Sequence, residues 1–333
     1  MTKDDPRQGT IRLLPRVVLR RLLQAIPSLF IVSIVAFSLM AATPGDPLTA
    51  RLDREALVRM SEAEVAAARA QFGLDQPVPV QYARWLSHVA QGDLGYSIVT
   101  GRAALTEVTD RLGPSVILLA GALIVALAIG LPAGILAARK PGGRLDRALS
   151  AAVVTVVATP PFVVGLVLIY VLAIRAGLLP TGGMGVAGEP RTFAMVMRHL
   201  LLPALVLGLA NAAPLARYSR AAMVEVLASD YIRTARSTGA PESLVIRQHG
   251  LRNASLPVIT LVAVMVPDLI ASSVITEQVF AWPGIGSLII KSAQAADAPV
   301  LMVVVVMVAL TTLTVNLLAD IAYSIADPRV RLG

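Results

Sequence analysis

Six stretches of this chain are too long and too apolar for most folds: roughly Leu22 to Ala42, Val116 to Ala138, Leu149 to Ile174, Leu200 to Ala216, Leu256 to Phe280 and Val300 to Ile325. About 20 predominantly apolar residues in a helix suffice to cross a bilayer. In lipid only helices and closed barrels satisfy their own backbone groups. The expected fold class is therefore an all-α membrane protein with six transmembrane helices. Composition agrees, at 56% hydrophobic and 15% charged residues, against about 25% charged in ordinary soluble domains. Pro160-Pro161 predicts a kink in the third run, and Pro203 and Pro214 leave the ends of the fourth open.

Basic residues near helix ends mark the cytoplasmic side. Lys3, Arg7, Arg12, Arg16, Arg20 and Arg21 precede the first run, and Arg139, Lys140, Arg144 and Arg147 separate the second from the third. Arg217, Arg220, Arg233, Arg236, Arg247 and Arg252 lie between the fourth and fifth, and Arg329 and Arg331 close the chain. In residues 43–114 the arginines are matched by Asp46, Asp53, Glu55, Glu62, Glu64, Asp75, Asp93, Glu107 and Asp110. The expected organisation is a cytoplasmic N-terminus (1–21), a first span (22–42), an extracytoplasmic domain (43–114), a core holding the other five spans (116–325) and a cytoplasmic tail (326–333), with a cytoplasmic loop at 219–255. Both termini then face the cytoplasm. Arg175, Arg191 and Arg198 against Glu189 fit an outer loop less well. The first run follows a basic leader and ends in small residues, as a signal peptide does, but a signal core is only about 7–15 residues; the helix is read as retained.

One polar, basic stretch interrupts this pattern: "DYIRTARSTGAPESLVIRQHGLRNASLPV", Asp230 to Val258. Met223, Val226, Leu227 and Tyr231 share one face of a helix drawn from Arg220 to Thr238. Gly239 suits the left-handed residue that closes a helix, and Pro241 with Glu242 suits the first turn of another. That second helix, about ten residues through Leu244, Val245 and Ile246, leads to Asn253 and re-enters the membrane at Leu256-Pro257. The product is a helical elbow on the cytoplasmic surface. By composition alone it is an amphipathic hairpin on anionic headgroups.

The order of residues adds a second reading. "TARSTG" followed by "LRNASLPV" resembles the EAA loop of permease subunits in bacterial ABC importers, whose elbow helix sits in a groove of the ATPase. Ala235 and Gly239 match that loop, whereas Arg233 stands where its glutamate would be, as is common in the peptide-transporter branch. "PGDP", "FGLDQPVPVQYARWLSHVAQGDLGYSI", "EQVFAWPGIGSLI" and "DIAYSIADPRVR" are similar to the B-type permease of dipeptide, oligopeptide and nickel importers, so the resemblance spans nearly the whole chain. It implies a type I ABC importer permease fold in the bacterial inner membrane. The implied partners are a C-type permease, two cytoplasmic ABC ATPases that hold ATP and Mg, and an extracytoplasmic solute-binding protein. Di- or oligopeptides are the first expected cargo, with nickel chelates or glycosides as alternatives. The residues implied in ATPase coupling are Ala235, Arg236, Gly239, Pro241, Glu242 and Leu244, with Arg236 and Arg247 free to meet acidic groups on the ATPase rim.

Charges inside spans are costly and point to function. Asp268, with Ser272 one turn on, and Glu277 are the candidate pathway residues, the two carboxylates about half a rotation apart. Trp282, Pro283, Gly284 and Gly286 read as an outer gate or an interfacial anchor before an amphipathic segment. Gly92 to Gly95 reads as a turn after a helix through Tyr82 and Trp85. No phosphate loop, HExxH or nucleophile elbow is present, and His88, His199 and His249 lie in different segments. The absence of cysteine excludes disulfides and thiolate-bound metals in this chain. A cofactor-free, non-enzymatic subunit with no nucleic-acid partner is expected. An ion-coupled secondary transporter with Asp268 as its ion site would instead call for an inverted repeat, and none is evident. An intramembrane enzyme would need paired groups at one depth.

Overall fold

The computed structural model describes residues 6–42, 59–71, 75–186 and 188–326. The "PGDP" segment around Asp46 and the tail residues Asp327, Arg329 and Arg331 lie outside them. The described chain is nearly all helix: α1 (Pro6–Ala42), α2 (Glu62–Gln71), α3 (Val78–Ala90), α4 (Ala104–Ala138), α5 (Arg144–Ala158), α6 (Pro161–Leu168), α7 (Phe193–Leu227), α8 (Asp230–Ser237), α9 (Leu251–Val279), α10 (Ile285–Gln294) and α11 (Ala298–Ala326). Short π-helical stretches extend α6 through Ile169–Arg175 and lead into α9 over Val245–Gly250.

Among the described residues, five helices are individually long and apolar enough to span a membrane, within α1, α4, α7, α9 and α11. The sixth expected span is broken: α5 and α6 meet at 97°. Pro160 and Pro161 explain the break, since neither donates a backbone hydrogen bond and each biases the residue before it away from the helical region; Thr159 is accordingly extended. Pro203 and Pro214, by contrast, leave α7 continuous over 35 residues. At 1.5 Å per residue α4 and α7 each run about 52 Å, well beyond the roughly 30 Å of bilayer hydrocarbon. Both therefore project past the membrane.

The chain forms two compact units. In the larger, built mainly on Pro114–Pro283, α7 is the central helix, with Leu200, Ala204 and Leu207 packed among Leu118, Ala122, Leu269 and Trp282. Lipid tails are as apolar as leucine, so close packing and hydrogen bonds, not water exclusion, hold such helices together. The smaller unit, Arg20–Gly113 with Gly284–Leu313, joins the first span, the described residues between 59 and 113 and the segment after Pro283. Here Tyr82 and Trp85 of α3 meet Phe37 of α1, and Tyr82 shares a 2.8 Å hydrogen bond with Ser33. The expected turn follows α3, with Gly95 N–H donating to the Asp93 carboxylate. Asp297, buried just before α11, accepts from Ser97 Oγ at 2.5 Å and from the Ile98 N–H, tying the turn's far side to α11.

Candidate functional site

The elbow between α7 and α9 differs from expectation in where it breaks. α7 stops at Leu227, Ser229 is extended, and α8 begins at Asp230, so the helix expected from Arg220 to Thr238 is two helices. Ser229 Oγ donates back to Val226 O at 2.6 Å, occupying a carbonyl that a continuing helix would use. Asp230 places a negative charge in the first turn of α8, where the helix dipole favours it. Serine followed by aspartate before an apolar-periodic segment is a helix-start signal, and it marks this boundary in the sequence.

α8 closes as anticipated. Gly239 is left-handed at φ +83, its N–H donating to Arg236 O while Ala240 N–H reaches back to Ala235 O. This paired closure satisfies the last carbonyls of the helix. Pro241 then precedes a helical turn, Glu242–Leu244. The second elbow helix does not end near Asn253: it runs through the π stretch into α9 without interruption. The elbow is thus one corner between two helices, the second continuous with a span.

Its two faces differ. Ile232, Val245 and Ile246 are buried, and Ile246 packs with Met223, Ala138 and Ala254. Arg233, Thr238, Gly239, Pro241, Glu242, Ser243, Leu244 and Arg247 are exposed, and Ala235 is half-buried. Arg236 does not point to an outside acid. Its guanidinium forks onto Glu242, Nη2 to Oε1 at 2.7 Å and Nε to Oε2 at 3.0 Å, clasping the corner internally. The same fork holds the Glu242 carboxyl below its ordinary pKa. Both groups are solvent-exposed, which limits the pair to about 1 kcal/mol or less. Arg247 is left on the surface.

The candidate pathway residues separate. Asp268 is exposed on α9 within this chain, whereas Glu277 is fully buried and accepts from Ser115 Oγ at 2.8 Å. Ser272 Oγ donates to the backbone carbonyl of Asp268, not to its carboxylate. Trp282 is fully buried, its Nε1 donating to Pro114 O at 2.9 Å. It therefore anchors the interior of the larger unit, which does not fit the interfacial anchor, one of the two roles expected for it. Pro283 follows it, Gly284 caps α10, and Gly286 is buried in that helix's first turn. Sequence reading passed over Asp146, on α5, which lies 5% exposed and accepts a two-pronged contact from Arg220 of α7.

Residues 130–332 match the family model described as binding-protein-dependent transport system inner membrane component. The chain belongs to this family. Its companion model, the N-terminal part of the binding-protein-dependent transport system membrane component, matches residues 14–119. Among relatives in the family, the oligopeptide transport system permease protein AppB of Bacillus subtilis is 41% identical over 314 residues, covering 94% of this chain and 98% of that protein. The glutathione transport system permease protein GsiC of Escherichia coli K12 is 37% identical over 314 residues, with the same coverage. An inward-facing structure of the MetNI methionine ABC transporter shares the fold, with a TM-score of 0.55 at 18% identity over 66% of this chain and 95% of its own. The chain is thus a multi-pass inner-membrane permease component.

Proposed function

We propose that this chain is one permease half of an ATP-driven importer for di- or oligopeptides, pairing with a C-type permease. Two cytoplasmic ATPases, the carriers of ATP and Mg, drive it, and an extracytoplasmic binding protein delivers the solute. The elbow carries this reading. Its buried face fastens it to the membrane helices, while its outer face presents Leu244 and Arg247 on a corner stiffened by the Arg236–Glu242 fork. A rigid corner continuous with α9 transmits displacement where a flexible loop would absorb it. The peptide cargo is supported by the names of the relatives, and the cytoplasmic position of both termini by the arginine distribution.

Affinity purification of the tagged chain from its own membranes in mild detergent is expected to recover a second permease and ATPases. Uptake of a labelled dipeptide into vesicles should require ATP and survive collapse of ion gradients. A well-folded chain recovered alone, with uptake that follows an ion gradient, would sink the proposal.

Within this reading Asp268 lines the solute path and Glu277 is interior packing. A carboxylate facing lipid at mid-span costs about 2.5–3.5 kcal/mol, so the exposed Asp268 must meet water, solute or the second permease. Asp268→Asn is expected to lower peptide uptake about tenfold or more, the loss of one charge-assisted contact of 1.5–3 kcal/mol, with subunit recovery unchanged. Uptake at the parental rate would assign Asp268 to packing.

A further inference from the structure

A second link leaves the elbow region by way of α7. Arg220 lies seven residues before the end of α7, about 10 Å of rigid helix from the elbow. Its Nε and Nη2 donate to Asp146 Oδ1 and Oδ2 at 2.6 and 2.7 Å, and Gly142 N–H completes the carboxylate at 2.8 Å. Asp146 stands in the first turn of α5, and the 97° break lies at the opposite end of that helix. Between the two, most of α5 is exposed in this chain, and a cleft of about 440 Å³ runs past its middle, lined by Val153 and Val157 on one side and Gly134, Ala216 and Arg217 on the other. α5 thus has the anatomy of a lever, clasped at one end and sharply bent from α6 at the other.

We propose that Asp146 and Arg220 are positioning residues for transport, a clamp that makes α5 follow α7 and the elbow and so delivers ATPase-driven movement to the hinge at Thr159–Pro161. Coupling then reaches a third element beyond the two helices the elbow joins directly. The bidentate fork suits this role because it fixes orientation as well as distance. A single contact would let α5 swivel. The proposal rests on the elbow being the ATPase dock.

The first test compares the purified complex carrying Asp146→Asn with its parent in proteoliposomes. ATPase recovery and ATP hydrolysis should persist while peptide transported per ATP falls at least about fivefold, the lower bound for a coupling worth a kilocalorie or more. Hydrolysis and uptake falling in proportion, or an unchanged ratio, would make the pair a fold support only and overturn the clamp. The second needs no change at the clamp. Because the chain has no cysteine, spin labels at Ala148→Cys on α5, Ser243→Cys on the elbow and Val167→Cys on α6 report distances in pairs. Trapping the ATPases closed should leave the α5-to-elbow distance constant and change the α5-to-α6 distance. The reverse pattern would refute the clamp, whereas absence of ATPases from the unaltered complex would fail the docking reading itself.

Discussion

Gly134→Leu is expected to abolish recovery of folded protein, seen as loss of the monodisperse peak in size-exclusion chromatography of detergent-solubilised membranes. A Cβ at Gly134 would fall 2.5 Å from Ala216 O and 2.9 Å from Arg220 N, besides colliding with Ser219 Oγ. The hydroxyl can rotate away, but the two backbone atoms cannot move without shifting α7. Ser219 is itself buried, its Oγ donating to Leu215 O at 2.8 Å. Close approach of this kind is how helices gain packing energy where lipid supplies no hydrophobic drive. Gly134→Ala tests the same contact more gently. Overpacking by one methyl costs about 1–3 kcal/mol, and a Tm lower by about 2–4 °C for each of those kcal/mol is expected in a thermal melt. A leucine variant with parental elution and Tm would show that α4 and α7 do not meet here.

How much of this arrangement could be read from the sequence depends on the range of the interaction. Five of the six apolar runs, the glycine closure of α8 and the turn after α3 are local, set by a few neighbouring residues, and they form the helices and turns expected of them. The break at Ser229 was local too, and its serine-aspartate signal was available. Pro160-Pro161 announced a bend, but its 97° depends on what α5 and α6 pack against. The rest is long-range. Asp146 and Arg220 are 74 residues apart, and Ser115 and Glu277 are 162 apart. Nothing in a hydropathy pattern tells a carboxylate that finds a buried donor from one left on a helix surface, which is why Asp268 and Glu277 looked alike and are not. Trp282 misled for a related reason: tryptophan is enriched at membrane interfaces because one end wants a polar partner, and here Pro114 O supplies that partner inside the protein.

Leu244→Asp is expected to remove the ATPases from the purified complex while leaving the chain folded in the membrane. The position is chosen by its neighbours. Val245 and Ile246 are buried against the helix bundle, so a charge at either would unseat the elbow; Leu244, one residue earlier, is 38% exposed and belongs to none of the packed clusters. Gly239→Trp, at a residue that matches the EAA loop, would confound two effects. At φ +83 any side chain strains the backbone, by about 1–2 kcal/mol, whether or not a partner is near. At Leu244 the folded chain has little to lose, so the effect falls on the partner. An apolar anchor in the centre of a protein interface is commonly worth 2 kcal/mol or more, which at 1.4 kcal/mol per decade is about 30-fold in affinity. Burying an unpaired aspartate in its place adds to that figure. The measurement is the ATPase-to-permease ratio after tagged purification, read beside the size-exclusion profile of the same sample. A low ratio with a parental profile supports the elbow as the dock. A parental ratio would move the dock elsewhere and leave the hairpin as a surface anchor on anionic lipid, whose binding an added aspartate would weaken in the same purified material reconstituted with and without acidic headgroups.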